Sequence, residues 1–261
     1  MPERAPHPPS VDLAADAGES FGPWRMGDDE ALFASLSSAH VACGAHAGDP
    51  GTLRRTARLA REAGVAVGAH PGYPDRVGFG RRELAMTPEE IHDAVLYQLG
   101  ALAGVLTAER LALHHVKPHG ALHHRTAADP GAAAALAQAV ATFDASLPLV
   151  VLAGPGGDVQ RAAAHGAGLA TLDEGFPDRG YLASGRLAPR GRDGAMVHDP
   201  DAAAARARHM VHGTPFAAVD GGEVQVRADT LCIHGDGPTA PAIARAIRAV
   251  LDADGVAVRP A

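Results

Sequence analysis

The chain has almost no lysine. Of its 23 basic residues only Lys117 is Lys, so the other 22 are Arg. A place that needs only positive charge has been given Arg. Lys117 therefore marks a place that needs a compact ammonium whose pKa responds to burial, which Arg cannot copy. Cysteine is nearly missing too. Cys43 and Cys232 cannot build a disulfide framework, and two unpaired thiols suit a reducing cytosol. Aromatic residues make up 4% of the chain, so the core is expected to consist of Ala, Val and Leu. A net charge of −7 without a basic stripe argues against nucleic acid as a partner. No apolar run reaches the 18 residues that a membrane span requires. Residues 1–10 lack the apolar stretch of a signal peptide and read as a disordered arm. No Gly-x-Gly-x-x-Gly follows the first strand pattern. The run Gly154-Pro155-Gly156-Gly157 lacks the Lys-Ser/Thr of a phosphate loop.

What is present is alternation. Short apolar runs near 11–14, 39–43, 65–69, 113–117, 149–152, 169–172 and 231–233 read as strands. Between them lie helical patterns near 50–63, 87–106, 130–142, 157–165, 200–212 and 238–254. Asp49-Pro50 supplies a cap followed by Pro at the first helical position, and Thr87 with Glu90 forms a capping box. Residues 175–199 form a long irregular excursion, and 216–226 read as a hairpin about Asp220-Gly221-Gly222. Strand–helix alternation implies a parallel sheet. About seven strands suit a distorted (β/α) barrel over 11–261 as one domain, with an open doubly wound sheet as the second choice.

Ionisable residues gather just after the strand patterns. Asp16 and Glu19 follow the first, His46 and Asp49 the second, and His70, Tyr73 and Asp75 the third. Lys117 and His119 end the fourth. Glu174, Asp178, Arg179 and Tyr181 follow the sixth, and His234 and Asp236 the last. In a (β/α) barrel these points share one face, where active sites form. Simpler roles compete for some of them. Asp49 suits a helix N-cap better than a ligand, and Asp75 suits a turn or ion pair equally well. The two cysteines are better read as small buried residues than as nucleophiles. His92, His165, His198, His209 and His212 read as ordinary helix histidines, and Arg81-Arg82 binds an anion or covers the rim. Asp16, His70 and His119 form one candidate divalent-metal set with room for water. The metal-free alternative uses His and carboxylates as acid and base, with Lys117 polarising a carbonyl.

At these residues the sequence resembles a known family. The runs VDLAADAGESFG, SSAHVACGAHAGDP, GAHPGYPD, GFGRR, HVKPHGAL, EGFPDRGY and CIHGD are similar to those of the LamB/YcsF family, in order from Val11 to the C-terminus. Members of that family are the A component of bacterial 5-oxoprolinase. The resemblance implies a TIM-like barrel of the glycoside hydrolase/deacetylase superfamily, related to carbohydrate deacetylases. It implies ATP-dependent opening of 5-oxo-L-proline to L-glutamate with partner subunits B and C. Departures from the family pattern fall at Ala14, His40, Ala45 and His123-His124.

On this reading Asp16 or Glu19 is the base, and His46, His70, His119 and Glu174 share the catalytic work. Lys117 and Arg179 contact an anion or oxyanion. Tyr73, Asp178, His234 and Asp236 join Arg179 in holding substrate. ATP is handled with or by the partners, in the cytoplasm. Two alternatives stand beside this one. The first is a stand-alone metal-dependent deacetylase or amidohydrolase, and the second a non-catalytic substrate-binding subunit. Self-association as a homo-oligomer stays open.

Overall fold

A computed structural model describes residues 10–261. The arm expected over 1–10 lies outside the described residues except for Ser10, which opens the first strand. The strands in chain order are β1 (Ser10–Ala17), β2 (Ser38–Ala42), β3 (Ala66–His70), β4 (Leu113–Val116), β5 (Leu149–Leu152), β6 (Thr171–Gly175), β7 (Phe216–Ala217), β8 (Glu223–Val224), β9 (Thr230–Ile233) and β10 (Ala257–Val258). The helices are α1 (Asp29–Phe33), α2 (Pro50–Ala63), α3 (Pro88–Ala108), α4 (Gly120–Ala128), α5 (Pro130–Asp144), α6 (Asp158–Gly166), α7 (Pro200–His212) and α8 (Ala240–Ala253).

β1 to β6 run parallel in sequence order, and β9 pairs with both β6 and β1, which closes a seven-stranded barrel. The register places Asp16 beside His40, Gly68 beside His115 and Ala14 beside Cys232. Strands covered by helices outside and side chains inside are buried on both faces, so β1 is buried from Val11 to Ala17. With few aromatics available, small residues such as Ala14, Ala15, Ala39 and Ala69 fill much of the wall. β7 and β8 form the expected hairpin, and β10 lies beside β1 outside the closure.

The capping signals act as expected. Asp49 accepts from the backbone N–H of Gly51 and Thr52 (2.9 and 3.1 Å) and starts α2. Thr87 and Glu90 exchange both bonds of the capping box at the start of α3. By length and composition α3 is apolar enough to cross a membrane, but its Ile91, Val95, Leu99, Leu102 and Leu106 pack into the core.

Three elements escaped the sequence pattern. α1 and β10 are short, and α4 carries a His-rich face with little apolar periodicity. The sixth strand also begins two residues later than its apolar run suggests and extends through Asp173-Glu174-Gly175. Hydrophobicity misplaces that strand because Glu174, though charged in type, points into the barrel and is 1% exposed.

Candidate active site

Parallel strands deliver all their C-terminal ends to one mouth, and two ionisable clusters lie there side by side. The first surrounds Lys117, which follows β4. Its ammonium donates to Asp16 Oδ1 (2.6 Å) and Cys232 Sγ (3.2 Å) and lies 3.4 Å from Glu174 Oε1. The Phe176 ring lies 5.6 Å away. His40 Nδ1 is 3.2 Å from the same Asp16 oxygen. Burial works against both charges of the ion pair, but each stabilises the other. Burial alone would raise the Asp16 carboxyl, yet His70, Lys117 and His40 hold it well below the usual carboxylate range. Burial alone would lower the Lys117 ammonium, yet Asp16, Cys232 and Glu174 hold it well above the usual lysine value. Breaking such a buried pair by removing one partner is far costlier than the pair is stabilising. Burial raises the Glu174 carboxyl, and its two oxygens have no hydrogen-bond donor among the described residues. Burial also pushes the Cys232 thiol well up and Cys43 to about 12, so neither is a thiolate nucleophile.

The second cluster is built from Glu19, His46, His70 and His119, whose donor atoms all lie within 4.8 Å of one another. Two of its tautomers follow from backbone partners. A carbonyl only accepts, so His70 Nδ1 carries the hydrogen it donates to Lys117 O (2.8 Å). His119 Nε2 likewise donates to Phe79 O (2.8 Å). The remaining nitrogens, His70 Nε2 and His119 Nδ1, face each other at 2.9 Å. Burial keeps both rings neutral, with His70 held well below its usual pKa and His119 down to about 4. Both facing nitrogens therefore present lone pairs, an arrangement that repels unless a cation is shared between them. Glu19 Oε1 lies 3.5 Å from His119 Nδ1 and 3.3 Å from His46 Nε2. The His46 ring stacks on His119 at 3.8 Å, and burial brings its pKa to about 3. Glycine makes this stack possible: a Cβ at Gly72 would meet His46 Nδ1 at 2.7 Å, and one at Gly80 (φ +62) would meet His119 Cδ2 at 2.8 Å. Neutral imidazoles with backbone-fixed tautomers, converging on a carboxylate, suit a divalent transition-metal ion.

The clusters form the floor of a cavity of about 310 Å³ lined by Asp16, His70, Lys117 and His119 together with Arg179 and His234. Phe176, His123, His124, Arg81 and Arg190 also line it. An adjoining cavity of about 390 Å³ shares His124, Leu152 and Leu187, and Glu174 reaches it. Of the residues singled out in the sequence, Glu19 and His46 pack behind His119, and Asp178 backs His234 Nδ1 at 2.9 Å. Asp236 sits on the rim, paired with Arg81 at 2.6 Å. Asp16 touches the second cluster through His70 Nε2 (3.3 Å), but Lys117 engages it more closely. Arg179 lines the cavity, yet its guanidinium donates to Ala195 O and Ala188 O (3.0 and 2.7 Å) and ties down the 175–199 excursion. Tyr73 is buried away from the cavity beside Arg125, its hydroxyl 3.4 Å from Nη1. Asp75 pairs with Arg82.

Sequence reasoning passed over Arg190 and Phe176, which arrive from the irregular excursion and carry no strand-end signal. His40 stood out only as a family departure, and it proves to face Asp16. Ala45, another departure, lines a different groove, whereas His123 and His124 line the cavity itself.

The LamB/YcsF family model matches residues 11–261. A protein from Thermus thermophilus, named as the A component of 5-oxoprolinase, is 56% identical over 249 residues, covering 95% of this chain and 98% of that protein. One of the same name from Methylococcus capsulatus is 52% identical over 249 residues, covering 95% of each. The crystal structure of a lactam utilization protein from Thermus thermophilus superimposes with a TM-score of 0.91 at 55% identity, covering 97% of this chain and all of that one.

Proposed function

The chain belongs to the LamB/YcsF family, and we propose that it is the A component of a 5-oxoprolinase, opening 5-oxo-L-proline to L-glutamate in an ATP-dependent complex with subunits B and C. The observation that carries this reading is the pairing of a three-histidine, one-carboxylate cluster with a buried ammonium. It sits on a chain about half identical to proteins of that name. Glu19, His46, His70 and His119 would hold a divalent ion. Such an ion supplies Lewis acidity and a water of lowered pKa.

The chain's own residues account for the rest. Lys117, held as an ammonium by Asp16, donates to the former carbonyl oxygen and the phosphoryl group it carries as water adds to that carbon. A preorganised donor of this kind acts strongly because it is buried, Lys117 being 2% exposed. Glu174, with two unpartnered oxygens, relays the two protons of the adding water to the ring nitrogen, one as water adds and one as the C–N bond breaks, and the acyl phosphate left is hydrolysed to L-glutamate and inorganic phosphate. Arg81 and Arg190 draw the substrate carboxylate into the mouth, and His234, held by Asp178, lines the wall opposite. Asp236 restrains Arg81, and Arg179 fixes the excursion that brings Arg190 there. A five-membered lactam resists hydrolysis, and phosphorylation at the expense of ATP makes its carbonyl electrophilic. This chain has no Walker pattern, so that step falls to the partner subunits. Two free, buried thiols fit a cytoplasmic setting.

The test is 5-oxoproline consumption by this chain alone, with ATP, and with ATP plus the B and C subunits, each repeated after chelation. Turnover is expected only in the full mixture and should fall on chelation. ATP-independent lactam hydrolysis by the chain alone would instead favour a free-standing metal amidohydrolase. No turnover in the full mixture would leave a binding role.

A further inference from the structure

We propose that the cavity adjoining the mouth is a product subsite, which takes up the amino-acid end of the opened chain and keeps it from closing again. The proposal rests on the functional reading above and adds where the chain goes once the ring breaks. Cleavage of the C–N bond leaves a free amine and an acyl phosphate on one short chain. In reclosure the amine nitrogen bonds to the acyl carbon, the bond from that carbon to the phosphate oxygen breaks, and one amine proton leaves with the phosphate. 5-Oxoproline is regenerated, and the phosphoryl group is lost without any L-glutamate. Two well-placed groups on one chain react as if at an effective concentration on the order of 10⁵ M or more. Water cannot match that, so the amine must move away before the acyl phosphate is hydrolysed.

The adjoining cavity, of about 390 Å³, suits that end of the chain. Glu174 lines it, buried and with both oxygens lacking a donor. A buried carboxyl without a partner calls for a ligand that brings one. Glu174 also lies 3.4 Å from the Lys117 ammonium, so it stands between the reacting end and the adjoining cavity. The amine born beside it takes up its proton and becomes an ammonium, with three N–H donors and no lone pair left for attack. Arg186 lines the same cavity from its exposed side and forms no ion pair among the described residues. Its guanidinium matches the α-carboxylate carried on the same carbon as the amine. The remaining walls include Ala127, Leu152, Val159 and Leu187, which suit the methylenes.

Two turns hold Arg186 there. Leu182 N–H donates to Arg186 O (2.8 Å) and Gly185 N–H to Leu182 O (2.9 Å), which fixes the base of the arginine. Gly185 (φ +81) rests on Pro155, where a Cβ would meet Cδ at 3.0 Å. The run Gly154-Pro155-Gly156-Gly157, which has no phosphate-loop lysine, thus seats the turn that carries Arg186. His124, Leu152 and Leu187 border both cavities, so the opened chain has a direct way across.

The experiment uses the full chain with the B and C subunits, ATP and 5-oxoproline, in water enriched in the heavy oxygen isotope. Phosphate, L-glutamate and the isotope content of recovered 5-oxoproline are measured. The oxygen of the adding water ends on the acyl carbon, so reclosure writes the label into 5-oxoproline, whereas idle ATP hydrolysis by the partners does not. The wild type should give equal phosphate and L-glutamate and leave 5-oxoproline unlabelled. Arg186→Gln, and Ala128→Leu, which fills the cavity from α4, should each raise phosphate released per glutamate at least ~5-fold and label the 5-oxoproline. Arg245→Gln, exposed on α8, should match the wild type. Equal phosphate and L-glutamate with unlabelled 5-oxoproline in both cavity variants would overturn the proposal and leave the functional reading intact. If the cavity variants do not turn over, calorimetry of the full chain with L-glutamate and with inorganic phosphate decides. Arg186→Gln should weaken L-glutamate binding at least ~10-fold, as for a lost charged hydrogen bond. Unchanged affinity, or a loss confined to phosphate, would overturn the proposal. If the wild-type mixture makes no L-glutamate, the functional reading fails and the proposal falls with it.

Discussion

The two clusters at the barrel mouth use the same ingredients to opposite ends. Around Lys117, carboxylate, imidazole and thiol enclose a cation that the chain itself provides. Around His119, a carboxyl and three imidazoles converge without an internal cation, and the facing nitrogens of His70 and His119 present lone pairs, because backbone carbonyls have taken their ring N–H groups. They are adjacent, for Asp16 Oδ1 lies 3.3 Å from His70 Nε2 and 2.6 Å from Lys117 Nζ. The difference teaches that burial alone does not fix the charge state of a polar cluster. The charges and hydrogen bonds around a carboxylate, His70, Lys117 and His40 in the case of Asp16, decide whether it stays ionised. Asp16 is held low beside Lys117, whereas burial pushes Glu19, which lacks such a partner, up to about 8.

The sharpest way to break this comparison is to remove one cluster at a time. His70→Ala should lower turnover of the reconstituted complex on the order of 1000-fold, as expected when a group that acts within a unit is lost. It should also abolish cobalt or zinc retention after dialysis; retention at wild-type stoichiometry would show that the imidazole cluster is not the ion's seat.

Lys117→Arg should lower turnover about 100-fold, since a misplacement of ~1 Å costs that much. Metal content should not change, because the guanidinium remains a cation beside Asp16. Near-wild-type turnover would reduce the single lysine to an accident of composition.

The pH response separates the clusters more gently. In metal-free protein the histidines of the second cluster have folded pKa values below their unfolded ones, so stability should climb as pH rises from about 4 to about 6.5. Glu19 has a folded value above its unfolded one, so the stability it contributes is present at low pH and lost as pH rises towards about 8. The windows overlap, and because several histidines oppose one carboxyl, melting temperatures in chelator should peak near pH 6.5, where the histidine gain ends and the Glu19 loss continues. Glu19→Gln should flatten the alkaline side, and an unaltered fall in that variant would assign the slope to another group.

The smallest effect is expected at the rim. Arg190→Ala should raise KM a few-fold with kcat unchanged, as for one exposed attractive charge. A kcat effect of the size seen in Lys117→Arg would place Arg190 at the reacting atoms instead.

The barrel itself was legible because strand–helix alternation is local, and the caps at Asp49 and Thr87 are local too. The ionisable residues at the strand ends were legible for the same reason. Which cluster each would join was not. Asp16 reads from its strand-end position as a companion of His70 and His119, and it does lie 3.3 Å from His70 Nε2, but the Lys117 ammonium reaches it at 2.6 Å. Arg179 reads as an anion contact, but the carbonyls that claim it lie 9 and 16 residues away, across an excursion with no periodicity. Tyr73 follows a strand end and still packs away from the cavity beside Arg125, a direction for which the sequence carries no hydrophobic signal. The stack of His46 on His119 depends on the lack of a side chain at Gly72 and Gly80, which a sequence displays without explaining.

Lys117 also bears on the chain's accessible mutational neighbourhood. The donor atoms of Asp16, His40 and Cys232 lie within 4.8 Å of one another, a soft three-ligand set that the ammonium plugs. Truncating that side chain to Ala withdraws the plug and leaves carboxylate, imidazole and thiol converging on the freed space. A thiol, once metal-bound, loses its proton despite burial. Lys117→Ala is therefore a change of metallochemistry as much as a deletion of charge. Material grown in zinc-rich medium would carry a second, thiophilic ion, and its kinetics would describe a two-ion protein rather than a lysine knockout. The single lysine is what keeps carboxylate, imidazole and thiol from converging on open space.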